Sequence, residues 1–125
     1  MELAIGLKHT SELQVVERFT AIAIGSGDMP VLATPAMMAL MENAAMLAVK
    51  DALDEGMTTV GGHIESSHMK PSKPGEKVAA TATLVKIDGR KLHFKIEARD
   101  SEGNVMGEGT HLRFIVNREK FLSRL

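Results

Sequence analysis

Thr34-Pro35-Ala36-Met37-Met38-Ala39-Leu40-Met41-Glu42-Asn43-Ala44-Ala45-Met46-Leu47-Ala48-Val49 is the stretch on which the fold turns. A threonine hydroxyl able to cap free amides, followed by a proline whose missing N–H costs nothing in the first turn, is a helix-start signal. Lys50, Asp51, Asp54 and Glu55 then lead into Gly56, a stop signal, so a helix is expected from Thr34 to about Glu55. Its first half is apolar nearly all the way round, and a helix without a polar face has to be wrapped by other elements. Glu42 and Asn43 interrupt the run, and crossing a membrane takes about 20 predominantly apolar residues, so this is a buried helix and not a span.

Working outward, the downstream chain reads as strands joined by short turns. Thr58 to Met69 mixes β-branched residues with Gly61-Gly62. Lys70 to Gly75, with two prolines, is a turn. Val78 to Ile87 and Arg90 to Asp100 flank Asp88-Gly89, a dipeptide favoured in two-residue type I′ hairpins. The second arm alternates cleanly, Leu92, Phe94, Ile96 and Ala98 against His93, Lys95, Glu97 and Arg99, which predicts one buried face. Ser101 to Asn104 turns the chain into a strand from Val105 to Val116, and residues 117–125 read as a short terminal helix or tail. Upstream, Leu13, Val15 and Phe19 share a parity that favours an extended strand over Ser11 to Ile24, and Gly25 to Pro30 is an irregular loop. The order predicts an α+β fold, an antiparallel β-sheet wrapped around one long central helix, as a single domain over residues 1–125.

Composition narrows the function. Of 125 residues 44% are hydrophobic and 25% charged, an ordinary globular balance, and 15 basic against 16 acidic residues give a net charge of −1. No electrostatic pull toward a phosphate backbone follows, and with no Trp, no Tyr and four Phe there is little for bases to stack on, so nucleic acid is not an expected partner. The absence of cysteine removes disulfides, thiolate metal sites and a Cys nucleophile, and fits a reducing compartment. Met1 to Lys8 has an early acid and no long apolar core, so the expected location is cytoplasmic, with no membrane partner. A small core rich in alanine and holding nine methionines would gain from self-association.

Glu42 is the chemical anomaly of the apolar helix. A carboxylate there finds donors, faces a cleft or lies at a subunit seam, and the first two suit acid/base work. Thr34 is a helix cap or a second member of a site. Eight residues along an ideal helix separate the two by about 12 Å. A shared site therefore needs either a loop that folds back or a second subunit. His68, ahead of Lys70-Pro71, can project into a cleft or serve structurally. His63 has the opposite parity, which argues against a metal shared with His68, and no metal or cofactor is expected. Gly61-Gly62 allows a ligand to approach closely and leaves a backbone N–H for an oxyanion; the alternative is a bulge. Gly25-Ser26-Gly27 and Gly107-Glu108-Gly109 lack the context of phosphate-binding motifs.

These residues carry a resemblance. Ala33-Thr34-Pro35, Leu40-Met41-Glu42-Asn43-Ala44-Ala45, Thr59-Val60-Gly61, His68 before Pro71 and Pro74-Gly75, and Gly107-Glu108-Gly109-Thr110-His111-Leu112-Arg113, in this order and spacing, resemble the fluoroacetyl-coenzyme A thioesterase group of the hotdog fold. The resemblance covers nearly the whole chain. It implies hydrolysis of an acyl-coenzyme A thioester, a catalytic set of Thr34, Glu42 and His68, a place for Gly61 near the thioester carbonyl, and one for Arg113 near bound substrate. Gly62 joins Gly61 as a candidate substrate-binding residue, and Lys70, Lys73 and Lys77 are candidates for the coenzyme A phosphates. The implied assembly is a homodimer, paired edge to edge, or a higher oligomer. One departure is that Gly25 to Leu32 holds no aromatic residue, where fluoroacetate-specific members resemble one another in an aromatic-rich lid. The competing readings are a hydratase or dehydratase on the same fold and a non-catalytic acyl-thioester binding module.

Overall fold

Helix α2 (Thr34–Val49) buries Ala36, Met37, Leu40, Met41, Ala44, Ala45, Ala48 and Val49, a stripe repeating every four residues, against the concave face of one five-stranded sheet. The structure, a computed structural model, describes residues 2–125. Strands β1 (Lys8–Gln14), β2 (Met57–Ser66), β3 (Lys77–Asp88), β4 (Lys91–Arg99) and β5 (Val105–Asn117) pair antiparallel throughout in the order β1-β3-β4-β5-β2. Short helices α1 (Ala21–Ile24) and α3 (Arg118–Ser123) complete the chain. The α+β expectation holds. Leu92, Phe94, Ile96 and Ala98 all face the core, as the alternation of β4 requires.

The enclosure of α2 is one-sided. Ala39 and Asn43 are exposed and Met38, Glu42, Met46 and Leu47 only half-buried, so a helix with an apolar surface all round keeps one flank uncovered within the chain. Strand β2 lies at the sheet edge next to that uncovered chemistry. Among the described residues no helix is long and apolar enough to cross a membrane.

Strand β2 ends at Ser66 and not at the expected Met69, and three further boundaries differ from the sequence expectation, each for a local reason. Strand β1 starts earlier and ends at Gln14, because Thr20 caps a helical turn by accepting from the Ala23 amide at 3.3 Å and Gly25, at φ 88°, closes it; these caps outweigh the parity of Leu13 and Phe19. Helix α2 stops at Val49, and Lys50–Ala52 form a 3₁₀ turn that brings Leu53 back onto the core before the polar residues continue. The β3–β4 hairpin has Gly89 and Arg90 as its central pair. Gly89 has φ +61° and no non-glycine residue among those described has positive φ, so the turn follows the type II′ pattern in place of the expected I′.

Gly107 and Gly109 have a structural use. A Cβ on Gly109 would lie 1.8 Å from the Glu65 carbonyl oxygen, and one on Gly107 would lie 2.5 Å from that of Ser67, so both glycines let β5 meet β2 closely. Because the obstacle is main chain, Gly109→Ala is expected to destabilise the fold by at least about 2 kcal/mol. Urea unfolding checks this; an unchanged midpoint would show that the two strands can part without loss.

Candidate functional site

Two clusters form within the chain, and α2 carries one member of each. The first stands at its N-terminal turn. Ala33, not Thr34, is the N-cap and makes no side-chain cap bond, while Pro35 takes the second helical position. The Thr34 hydroxyl is therefore free of capping duty, and it shares a 2.7 Å hydrogen bond with His68 Nδ1. His68 lies two residues beyond β2, where the chain still tracks β5 through Ser67 N–H to Glu108 O at 3.0 Å and Met69 N–H to Met106 O at 2.7 Å. Its Nε2 is buried without a protein partner. Both side chains line a cavity of about 240 Å³ with Ala21, Ser26 and Lys70. Beside it, Leu13, Phe19, Ile24, Pro35, Ala36 and Leu40 line an apolar groove of about 420 Å³.

The second cluster gathers around Glu42, two turns further along α2. Gly61 of β2 faces its carboxylate so closely that a Cβ there would lie 2.9 Å from Glu42 Oε2. Gly62 is the extra residue of a bulge between Gly61 and His63, and a Cβ on it would lie 2.3 Å from the Phe114 ring. Arg113 of β5 is buried and fixed: Nε donates to Thr59 Oγ1 at 2.8 Å, Nη2 to the Thr59 carbonyl at 3.0 Å and Nη1 to His111 Nε2 at 3.1 Å. Its Nη1 lies 3.8 Å from Glu42 Oε2, whose side chain is 43% exposed. His111 Nδ1 donates in turn to the His63 carbonyl at 2.7 Å, which fixes the ring as the Nδ1–H tautomer and leaves Nε2 to accept from Arg113.

The electrostatics follow from burial. Burial lowers the pKa of Arg113, with Glu42 offsetting part of the effect, and the guanidinium stays charged. Burial lowers His68, opposed by the Lys70 backbone carbonyl; it also lowers His111, opposed by the His63 carbonyl and reinforced by Arg113. Both imidazoles are neutral at neutral pH. With folded pKa values below the ordinary 6.5, the unfolded chain binds more protons as pH falls, so their contribution is full above 6.5 and is lost as pH falls through the folded values. The urea midpoint is therefore expected to drop between about pH 7 and about pH 5. A midpoint that stays flat or rises over that range would contradict it.

The structure thus brings Thr34 to His68 and brings Glu42 to Gly61 and Arg113, and it does not bring the two sets together in one chain. Arg113 is buried, and three of its five N–H groups are engaged by Thr59 and His111, which leaves Nη1 also facing Glu42. Lys70 is paired with Asp100, whereas Lys73 and Lys77 are exposed. No group of three metal-ligating side chains occurs among the described residues. Thr59 and His111 stand in the quoted motifs, but the sequence reading gave neither a role. For His111 a signal was present, since it and Arg113 are two apart on one strand and so share a face.

The chain is similar to known proteins along most of its length. A family model described as fluoroacetyl-CoA-specific thioesterase (FlK) matches residues 15–119. The fluoroacetyl-CoA thioesterase of Streptantibioticus cattleyicolor is 35% identical over 95 residues, spanning 76% of this chain and 68% of that protein. The solved structure of the fluoroacetyl-CoA thioesterase FlK superposes with a TM-score of 0.90 at 29% identity, over 99% of this chain and 96% of its own. A hot-dog-like protein from Thermanaerovibrio acidaminovorans, at 22% identity and TM-score 0.85 over 96% of this chain and 88% of its own, shares the fold. A hotdog sheet curled on α2, matched by sequence and by backbone over most of the chain, shows that the protein belongs to the fluoroacetyl-CoA-specific thioesterase family.

Proposed function

We propose that the protein is an acyl-CoA thioesterase, a thioester hydrolase whose site is shared between the two protomers of a homodimer. The observation that carries this is the division of α2: its N-terminal turn holds Thr34 against His68, while Glu42, eight residues on, is held against Gly61 and Arg113. Eight residues of helix span about 12 Å, too far for one chain to close the set. The uncovered flank of α2 and the free edge of β2 lie beside Glu42, where a second copy would bring its own Thr34 and His68.

In this site the Glu42 carboxylate attacks the thioester carbonyl, directly or by deprotonating a water. Arg113 holds that carboxylate in place, and His111 holds Arg113. Gly61 and Gly62 let the carbonyl approach the β2 backbone, whose bulged amide is an oxyanion donor. His68, hydrogen-bonded to Thr34 and neutral at the outset, accepts the proton that the attacking water loses, directly or by way of Glu42, and as imidazolium passes it to the departing thiolate. The apolar groove beside Pro35 takes the acyl group, and exposed Lys73 and Lys77 meet the coenzyme A phosphates. A cysteine-free chain suits the reducing cytoplasm.

Thiol release from short, medium and aryl acyl-CoA esters tests the reading. Turnover of at least one ester is expected. Binding of the panel without thiol release would replace it with an acyl-thioester binding module, and hydration of an enoyl-CoA without thiol release would replace it with a hydratase.

A further inference from the structure

Backbone bonds from Ser67 and Met69 to β5 hold the chain on either side of His68, and a side-chain tether fastens the segment a second time just beyond it. Two residues on, the Lys70 ammonium is paired with Asp100, whose side chain is 1% exposed while that of Lys70 is 44% exposed. Asp100 is already the organiser of the β4–β5 turn: Oδ1 accepts from the Glu102 amide at 3.0 Å and the Asn104 amide at 2.9 Å, and its backbone N–H donates to Asn104 O at 2.9 Å. Oδ2 receives Lys70, with Asn104 Nδ2 at 3.4 Å. The turn is thus a rigid anchor, and Lys70 ties the His68 segment to it.

We infer that Asp100 is a positioning residue, acting through Lys70 to hold the His68 ring against Thr34. This rests on the reading of His68 as the proton carrier. The pair itself is silent near neutrality: Lys70 holds the Asp100 carboxyl at about 2, and Asp100, with Glu102 and Glu76, raises Lys70 above its ordinary 10.5. A change in a neutral-range pH profile therefore comes from an imidazole, and an NMR titration separates His68, bonded to Thr34, from His111, the other histidine whose pKa burial lowers.

The test compares Asp100→Asn, Lys70→Met and Lys70→Arg in the full-length protein, by steady-state kinetics across pH and by NMR titration of histidine-labelled protein. Asp100→Asn keeps the turn's acceptor Oδ1 but drops the charge opposite Lys70. It is expected to lower kcat by about ten- to a hundredfold, with KM within about twofold. The acid limb and the His68 NMR pKa should both rise toward 6.5 as the ring gains water. Lys70→Met should do the same, which keeps the test alive if Asp100→Asn fails to fold, and Lys70→Arg should hold the limb at its wild-type position. Loss of stability with the limb and the NMR pKa unmoved would overturn the inference, as would Lys70→Arg behaving like Lys70→Met. A wild type with no thiol release would overturn the thioesterase reading alone, because the NMR titration still decides whether the tether holds His68.

Discussion

Glu42→Gln is expected to lower kcat by about 10²- to 10⁴-fold while leaving the protein folded. Glutamine keeps the shape and one acceptor oxygen, so Gly61 still packs against it, but it neither attacks a carbonyl nor takes a proton from water. The structural loss is small because the carboxylate is 43% exposed and its ion pair with Arg113 spans 3.8 Å. Such a pair is worth about 1 kcal/mol or less, and Arg113 retains Thr59 and His111 as partners. Steady-state kinetics beside a urea melt separate the two effects. Near-wild-type turnover from a folded Glu42→Gln protein would remove Glu42 from the chemistry.

His68→Ala is expected to cost a comparable factor in kcat by a different route. It deletes the proton carrier and leaves the Thr34 hydroxyl without its 2.7 Å partner. The expected split is a fall of about 10²-fold or more in kcat with little change in KM, since neither the groove beside Pro35 nor Lys73 and Lys77 involves the ring. The acid limb of the profile should vanish with the imidazole. A persistent limb of unchanged pKa would assign it to another group, and a rise in KM with kcat intact would make His68 a binding residue.

Much of the fold was legible because its strongest signals are local. Alternation of Leu92, Phe94, Ile96 and Ala98 can follow only a strand with one buried face, and Asp88-Gly89 marked the hairpin even though the turn centres one residue later, on Gly89-Arg90. The first strand was misjudged at its far end because Thr20 and Gly25 act as caps, and a two-residue parity pattern does not register a cap pair around a four-residue helix. The full wrapping of α2 was overestimated for a related reason: composition says that the surface is apolar, but which chain covers it is a matter of assembly. For the site, residue types and spacing singled out Thr34, Glu42, His68 and the glycine pair. The resemblance put Thr34 and His68 in one set, but their direct contact was not legible from the residues, since the threonine read equally well as a cap. The resemblance placed Arg113 near bound substrate, but its burial was not legible because nothing local reveals a long-range contact, here with Thr59 across the sheet. Asp100 was hidden for the same reason, its partner lying 30 residues earlier.

The central claim is that a working site takes Thr34 and His68 from one protomer and Glu42 from the other. Co-refolding the Glu42→Gln and His68→Ala proteins in equal amounts tests it most directly. Random pairing makes half of the dimers mixed, and each mixed dimer would then hold one site with both residues intact and one with both changed, so about a quarter of wild-type activity should return. If both residues of a site came from the same chain, every site in the mixture would still lack one of them. Activity that stays at the level of the separate variants, from a mixture shown to contain mixed dimers, would contradict the shared site.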